Sequence, residues 1–280
     1  MKISALQAGF KLDHIALETT KKKRLANFYK KIMGMDYFVN KDGDMVCIGP
    51  LRKLIIKDGI NNKLSFAGFS CRSEKDLKLF KSYVTSNKVK ILDFINPYFK
   101  EKAFSISDPD GNIISFGVGL NESQKFNGIL NGPLQHLTFS SSNVERFQKF
   151  YSEKLGFKIT DIVIHDNGTL ATSFVTSNHE HHTLACFKAN KVGIDHHSYE
   201  VGEWNFIRDW CDHFSKYDIK LSWGPGRHGP GNNLFVFIRD VDNNWIELSA
   251  ELETVHDREI KKWPQAEKTL NLWGKGILRS

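Results

Sequence analysis

Cysteine is scarce: the four residues Cys47, Cys71, Cys186 and Cys211 stand far apart in 280 and form no CxxC pair. Such spacing is no disulfide framework and predicts free thiols in a reducing compartment. Long apolar runs are missing too. None reaches membrane-spanning length, and the opening MKISALQAGFKLD lacks the apolar stretch of a secretory signal. A cytoplasmic protein with no membrane partner is therefore expected, and the sequon Asn167-Gly168-Thr169 has no glycan to accept. The net charge of +7 and pI near 9.1 would suit an anionic partner. Yet the basic run Lys21 to Arg24 sits where a helix should begin and carries no interleaved aromatics, so it reads as a solvated face and nucleic acid is not expected. The segment Gly224-Pro225-Gly226-Arg227-His228-Gly229 matches GxGxxG literally. A strand follows it rather than a helix, and Pro225 and Pro230 obstruct helical geometry, which excludes a dinucleotide loop.

What remains is an ordinary globular composition, 40% hydrophobic and 25% charged, with length enough for one large or two medium domains. Residues 235–251, FVFIRDVDNNWIELSAE, are two alternating apolar runs around a polar turn, the grammar of a hairpin. In the second run Trp245, Glu247 and Ser249 share one face while Ile246, Leu248 and Ala250 share the other. Glu247 is thus a carboxylate in a mostly buried strand and needs a partner; a metal ion is one of the few that suffice. Imidazole is concentrated in the same half, nine of eleven histidines falling between His136 and His228. His136 and His197 lie in strand-like runs. Two histidines and one carboxylate with open positions form the ligand set of non-haem Fe(II) oxygenases.

The chain repeats itself. His14 precedes Phe28-Tyr29 by 14 residues and Gly34 by 20, and His136 precedes Phe150-Tyr151 and Gly156 by the same intervals. Each copy predicts a strand with a histidine, a polar turn, an amphipathic helix burying its FY pair, and a closing glycine. SDPDGNIISFG at 107–117 aligns with RDVDNNWIELS at 239–249. A duplicated domain follows. Within each half a weaker repeat of strand, helix and three strands occurs twice, and residues 119–131 read as the linker.

These features resemble the vicinal oxygen chelate superfamily, and the two-domain layout resembles the type I extradiol catechol dioxygenases, over roughly residues 8–252. The resemblance implies an α+β fold of two tandem domains, each of paired βαβββ modules forming a cupped mixed sheet: residues 1–119, then a catalytic domain at 132–252, then a tail at 253–280. It implies an Fe(II)-dependent, ring-cleaving oxidoreductase acting with O2 on a catechol-type aromatic, 2,3-dihydroxybiphenyl-like or a substituted catechol, in aromatic catabolism. Mn(II) can replace the iron, and a homo-oligomer is expected. The metal ligands implied are His136, His197 and Glu247, with His197 chosen over His196 as second member of an adjacent pair. HHTLACF at 181–187 selects His182 as general acid/base, 15 residues before His197, and GRHGPGN selects His228, 19 residues before Glu247. Thr138 and Phe174 fall at substrate-lining positions. Phe237 stands where the family has a tyrosine, and Val241 and Asn243 replace its usual proline and glycine.

In the N-terminal half His14 persists, but Ser115 replaces the glutamate and the segment at Phe66 and Ala67 offers no second imidazole, so that half is expected to have lost its site. Two other functions fit the same ligands less well. One is a superfamily lyase, isomerase or thiol transferase using the metal as a Lewis acid, which Phe237 favours. The other is a non-catalytic ligand-binding protein, which has little use for an intact triad. In the tail, Trp263 and Trp273 predict packing against the body or a neighbouring subunit over the site entrance.

Overall fold

A computed structural model describes residues 2–120 and 130–278. Most of the expected linker, 121–129, lies outside the described residues. The fold is α+β, with two large mixed sheets and few helices.

After a one-turn helix, α1 (Ala5–Ala8), the chain runs through four copies of strand, helix and three strands. The first holds β1 (Lys11–Thr19), α2 (Lys22–Lys31), β2 (Asp36–Val39), β3 (Met45–Gly49) and β4 (Arg52–Asp58). The second holds β5 (Lys63–Cys71), α3 (Glu74–Ser86), β6 (Ile91–Leu92), β7 (Phe104–Ser107) and β8 (Ile113–Val118). The third holds β9 (Leu134–Ser141), α4 (Val144–Lys149) continuing as a π-helical turn at Phe150–Lys154, β10 (Lys158–Ile164), β11 (Leu170–Thr176) and β12 (Leu184–Lys188). The fourth holds β13 (Gly193–Gly202), α5 (Trp204–Lys216), β14 (Trp223–Arg227), β15 (Leu234–Arg239) and β16 (Trp245–Ala250). The tail adds β17 (Lys261–Pro264) and α6 (Glu267–Leu270).

The helices form where apolar residues recur at helical spacing. Leu25, Ala26, Phe28 and Tyr29 of α2 are buried while Lys30 and Lys31 sit in its last turn, where cations suit the helix dipole. Gly34 and Gly156 close α2 and the third-module helix with φ of 59° and 72°, a region that costs glycine little. Ser73 caps α3 by accepting from the Asp76 amide at 3.1 Å.

Each half pairs its modules through their first strands. The first sheet runs β2-β3-β4-β1-β5-β8-β7-β6 and the second β14-β15-β16-β13-β9-β12-β11-β10-β17. The second sheet's centre, β9, is buried along its whole length. One face packs on the shared hydrophobic core, and the other carries the candidate site.

The two halves exchange contacts reciprocally. Tyr29 of α2 donates to Asp240 Oδ2 in the β15–β16 turn at 3.2 Å, and Tyr151 donates to Asp108 Oδ2 in the β7–β8 turn at 3.3 Å. Arg24 pairs with Asp242 and Arg146 with Asp110 in the same manner. Asp240 and Asp108 each accept from the asparagine four residues on, Asn244 and Asn112, at 2.8 Å. The repeated FY helices and the repeated DxDxN turns are thus partners across the duplication.

Candidate metal centre

Strand register decides which histidine faces Glu247. In the parallel β13–β16 pair His196 sits beside Trp245 and Ser198 beside Glu247, while His197 sits beside Ile246. In the antiparallel β9–β13 pair Ser198 faces His136 and His196 faces Thr138, whereas His197 faces Leu137. Since side chains alternate across a strand, His136, His196 and Glu247 share one face and His197 shares the core face.

The expectation for His197 is therefore corrected to His196. Ligand atoms of His136, His196 and Glu247 all lie within 4.8 Å of one another, and all three residues are buried. His136 Nε2 is 3.0 Å and His196 Nε2 3.3 Å from Glu247 Oε2. His197 instead turns its ring to the core, with Nε2 3.2 Å from the Tyr29 hydroxyl. Burial, with His196 and His136 nearby, drives its pKa down to about 3, so it is a neutral packing residue.

Glu247 is held as an anion. Burial alone would push its carboxyl up, but His136 beside it, with hydrogen bonds from His136, His196 and His228, holds it well below the usual range. Asn233 donates to Glu247 Oε1 at 3.1 Å and to Ser249 Oγ at 3.0 Å, which fixes the rotamer. His196 loses basicity to burial but regains more from Asp195 and Glu247. Its Nδ1 is 2.6 Å from Asp195 Oδ1, so Nδ1 carries a proton and Nε2, facing Glu247, is the nitrogen that a metal would take. Asp195 and Asn233 escape a spacing argument. The Asp-His pair in β13 repeats Asp13-His14 of β1, and that repeat is the signal that could have found Asp195.

The remaining expected residues surround the triad. Thr138, Phe174, His182, His228 and Phe237 line one cavity with the three ligand candidates. The His182 ring lies 4.2 Å from that of His136 and 5.1 Å from that of Phe174. His228 stacks on Phe235 at 3.8 Å, and its Nδ1 donates to the Leu270 carbonyl at 2.5 Å. Its Nε2 lies 3.5 Å from Glu247 Oε1. Phe237 packs edge-on against His196 at 5.2 Å. Phe187, Trp223 and Leu270 complete the walls and were not legible as lining residues. The tail packs against the body: Leu270 reaches the cavity, Trp263 joins Phe174 in a small apolar cluster, and Trp273 lies against Trp204 at 5.9 Å.

The corresponding positions of the first half carry other groups. By register Ser115 stands beside Gly68 as Glu247 stands beside Ser198, which puts Phe66 in the place of His196. Ser115 is bonded to Ser105 at 2.8 Å. Both His14 nitrogens are engaged, Nδ1 with Asp13 at 2.6 Å and Nε2 with Asn96 at 2.8 Å. No ligand atom of His14 is left over.

Residues 134–248 match the family model described as the Glyoxalase/Bleomycin resistance protein/Dioxygenase superfamily. Metapyrocatechase 2 of Cupriavidus necator is 24% identical over 247 residues, which span 79% of this chain and 75% of that protein. The iron-dependent extradiol dioxygenase of Rhodococcus jostii (strain RHA1) is 23% identical over 291 aligned positions, 94% of this chain and 95% of that one. Among solved structures, the anaerobic 3,4-dihydroxyphenylacetate complex of homoprotocatechuate 2,3-dioxygenase from Brevibacterium fuscum superposes with a TM-score of 0.82 at 21% identity, covering 99% of this chain and 93% of that one.

Proposed function

Residues 134–248 belong to the glyoxalase/bleomycin resistance protein/dioxygenase superfamily, and on that premise we propose that this chain is an extradiol dioxygenase, using Fe(II), or Mn(II) in its place, to open the ring of an uncharged catechol with O2. The chemistry is assigned to residues 132–252, with residues 1–119 as a structural twin. The observation that carries the reading is the convergence of His136, His196 and Glu247 in a buried, aromatic-walled cavity.

The donor set fits the metal. Two imidazole nitrogens and one carboxylate oxygen meet on one sheet face, the carboxylate is anionic, and Asp195 fixes the His196 tautomer. When bound, the metal supplies Lewis acidity that favours ionised catechol hydroxyls and the redox chemistry with dioxygen. The protein does the rest. Phe174, Phe187, Trp223 and Phe237 hold the ring and exclude water. His182 would take and return a proton as general acid/base, and His228 would hydrogen-bond a substrate oxygen.

The same lining supports the substrate class. Among the described residues lining the cavity there is no lysine or arginine, so a carboxylated side chain finds no cationic partner there, whereas an alkyl or aryl substituent finds apolar walls.

The test is anaerobic loading with Fe(II), then oxygen uptake and absorbance on adding 3-methylcatechol or 2,3-dihydroxybiphenyl. A coloured ring-fission product with stoichiometric oxygen consumption, lost in His196→Ala, is expected. Protein shown to hold one Fe(II) that consumes no oxygen with any catechol would overturn the reading and favour Lewis-acid chemistry without oxygen.

A further inference from the structure

The two oxygens of Glu247 meet different neighbours. Oε2 has the imidazole nitrogens of the triad, His136 Nε2 at 3.0 Å and His196 Nε2 at 3.3 Å. Oε1 has groups from outside the triad, Asn233 Nδ2 at 3.1 Å and His228 Nε2 at 3.5 Å. Asn233 makes the shorter contact, and its Nδ2 also donates to Ser249 Oγ at 3.0 Å. Asn233, Glu247 and Ser249 are all buried.

The ladder explains the arrangement. Leu234 pairs with Ala250, Phe235 with Ser249 and Phe237 with Glu247 in the antiparallel β15–β16 pair. Side chains alternate, so Asn233, one residue before Leu234, stands on the face shared by Phe235, Ser249 and Glu247. Its amide thus reaches two residues of that face at once. Which end of the amide faces them is settled by chemistry: an anionic carboxylate only accepts, so the nitrogen and not the oxygen must turn to Glu247. Both N–H bonds are then spent, one on Glu247 and one on Ser249, and the amide cannot swing away without losing both.

We infer that Asn233 is a positioning residue that reserves Glu247 Oε1, so that the carboxylate meets the metal through Oε2 alone and one more coordination position stays open for substrate or dioxygen. The inference rests on the metal site of the proposed function and gives a role to a residue that the family likeness does not assign. A carboxylate left to itself can grip a cation with both oxygens, which fills two positions on the ion. Together with His136 and His196 that would make four protein atoms in place of three, at the expense of the open positions that the chemistry needs. An oxygen that already accepts from a clamped amide is held back from the ion. Being neutral, the amide does this without cancelling the negative charge that draws a cation in, as a lysine or arginine in its place would.

The test uses the full-length chain loaded with Mn(II), because electron–nuclear resonance in 17O-enriched water counts the waters on that ion. Wild type is compared with Asn233→Leu, whose side chain fills the space and donates nothing. The variant is expected to hold Mn(II) with one water fewer, Oε1 having taken its place. An equal number of waters in the two proteins overturns the inference and leaves the metal site standing, whereas a wild-type chain that holds no Mn(II) overturns both. Infrared difference spectra of the wild-type chain with and without Mn(II), with 13C-glutamate labelling to identify the bands, decide the matter even where the variant does not fold or load. Coordination through one oxygen widens the gap between the antisymmetric and symmetric carboxylate stretches, and coordination through two narrows it. A widened gap is expected; a narrowed one overturns the inference.

Discussion

Tyr29 donates to Asp240 at 3.2 Å from the opposite half of the chain, and the same hydroxyl lies 3.2 Å from His197 Nε2. His197 adjoins His196 in β13 and Asp240 lies in the turn before β16, which carries Glu247, so a helix of the first half packs behind the strands of the candidate site. The twin's retained role is thus mechanical. Ser115 and Phe66 stand at its positions corresponding to Glu247 and His196, and its FY helix braces the hairpin that presents the carboxylate.

Removing that brace should cost stability. Tyr29→Phe leaves a buried Asp240 short of one donor, a change worth about 1–3 kcal/mol. Tyr151→Phe removes the reciprocal bond to Asp108 and should cost a similar amount. Urea denaturation of the two variants checks this; a loss in one and none in the other would break the equivalence argued from the duplication.

The same group gives a pH dependence of known sign. Burial pushes Asp240 from its ordinary 3.8 up to about 6, against opposing bonds from Asn244, the turn amides and Tyr29. Its folded pKa lies above the unfolded one, so its contribution to stability is full below about pH 4 and is lost as pH rises through 6. Asp240→Asn should flatten this slope: wild-type minus variant stability, followed by denaturation from pH 4 to 7, should fall with rising pH. A difference that rises instead would mean that the turn's hydrogen bonds outweigh desolvation.

Adjacent histidines make the sharpest mutational contrast. His196→Ala should abolish stoichiometric metal binding, because its Nε2 is one of three converging ligand atoms. His197→Gln, on the core face, should retain one metal per chain while losing stability. Metal content after gel filtration, read beside thermal melting, separates the outcomes, and metal loss in His197→Gln with retention in His196→Ala would reverse the assignment.

That reversal of the expected ligand is also where the sequence ran out. The four strand-helix-strand-strand-strand units, the closing glycines, the triad members His136 and Glu247, and the cavity positions of Thr138, Phe174, His182, His228 and Phe237 follow from periodicity and from the family likeness. The choice between His196 and His197 does not, because either parity gives a plausible buried strand: β13 is covered on both faces, so hydrophobic alternation no longer distinguishes them. Only the register against β9 and β16 does. Asn233 and Leu270 were hidden for a related reason, since a loop brings in the first and the tail the second.

Asp195 should matter through His196. Its carboxylate holds the Nδ1 proton at 2.6 Å, which leaves Nε2, facing Glu247, as the ligand atom. Asp195→Asn is expected to weaken metal affinity about 10- to 100-fold with little effect on folding, the usual consequence of removing the partner of a ligating histidine. Competition with a chelator of known affinity measures it, and an unchanged affinity would mean that the strand backbone alone sets the ring.

Substrate charge gives the final prediction. The cavity wall is aromatic and aliphatic around one carboxylate and four imidazoles, with no lysine or arginine among the described lining residues. A methyl or phenyl substituent entering it gains apolar contact, whereas a carboxymethyl group must shed its water without a cationic partner, at a cost of several kcal/mol. At about 1.4 kcal/mol per tenfold, even 4 kcal/mol separates kcat/KM by a factor near 10³. We therefore expect 3-methylcatechol to exceed 3,4-dihydroxyphenylacetate by about that factor, in oxygen-uptake assays at saturating O2. Comparable values would show that the charged group stays in solvent, outside the wall formed by Trp223, Phe187 and Leu270, and that the cavity reads the diol alone.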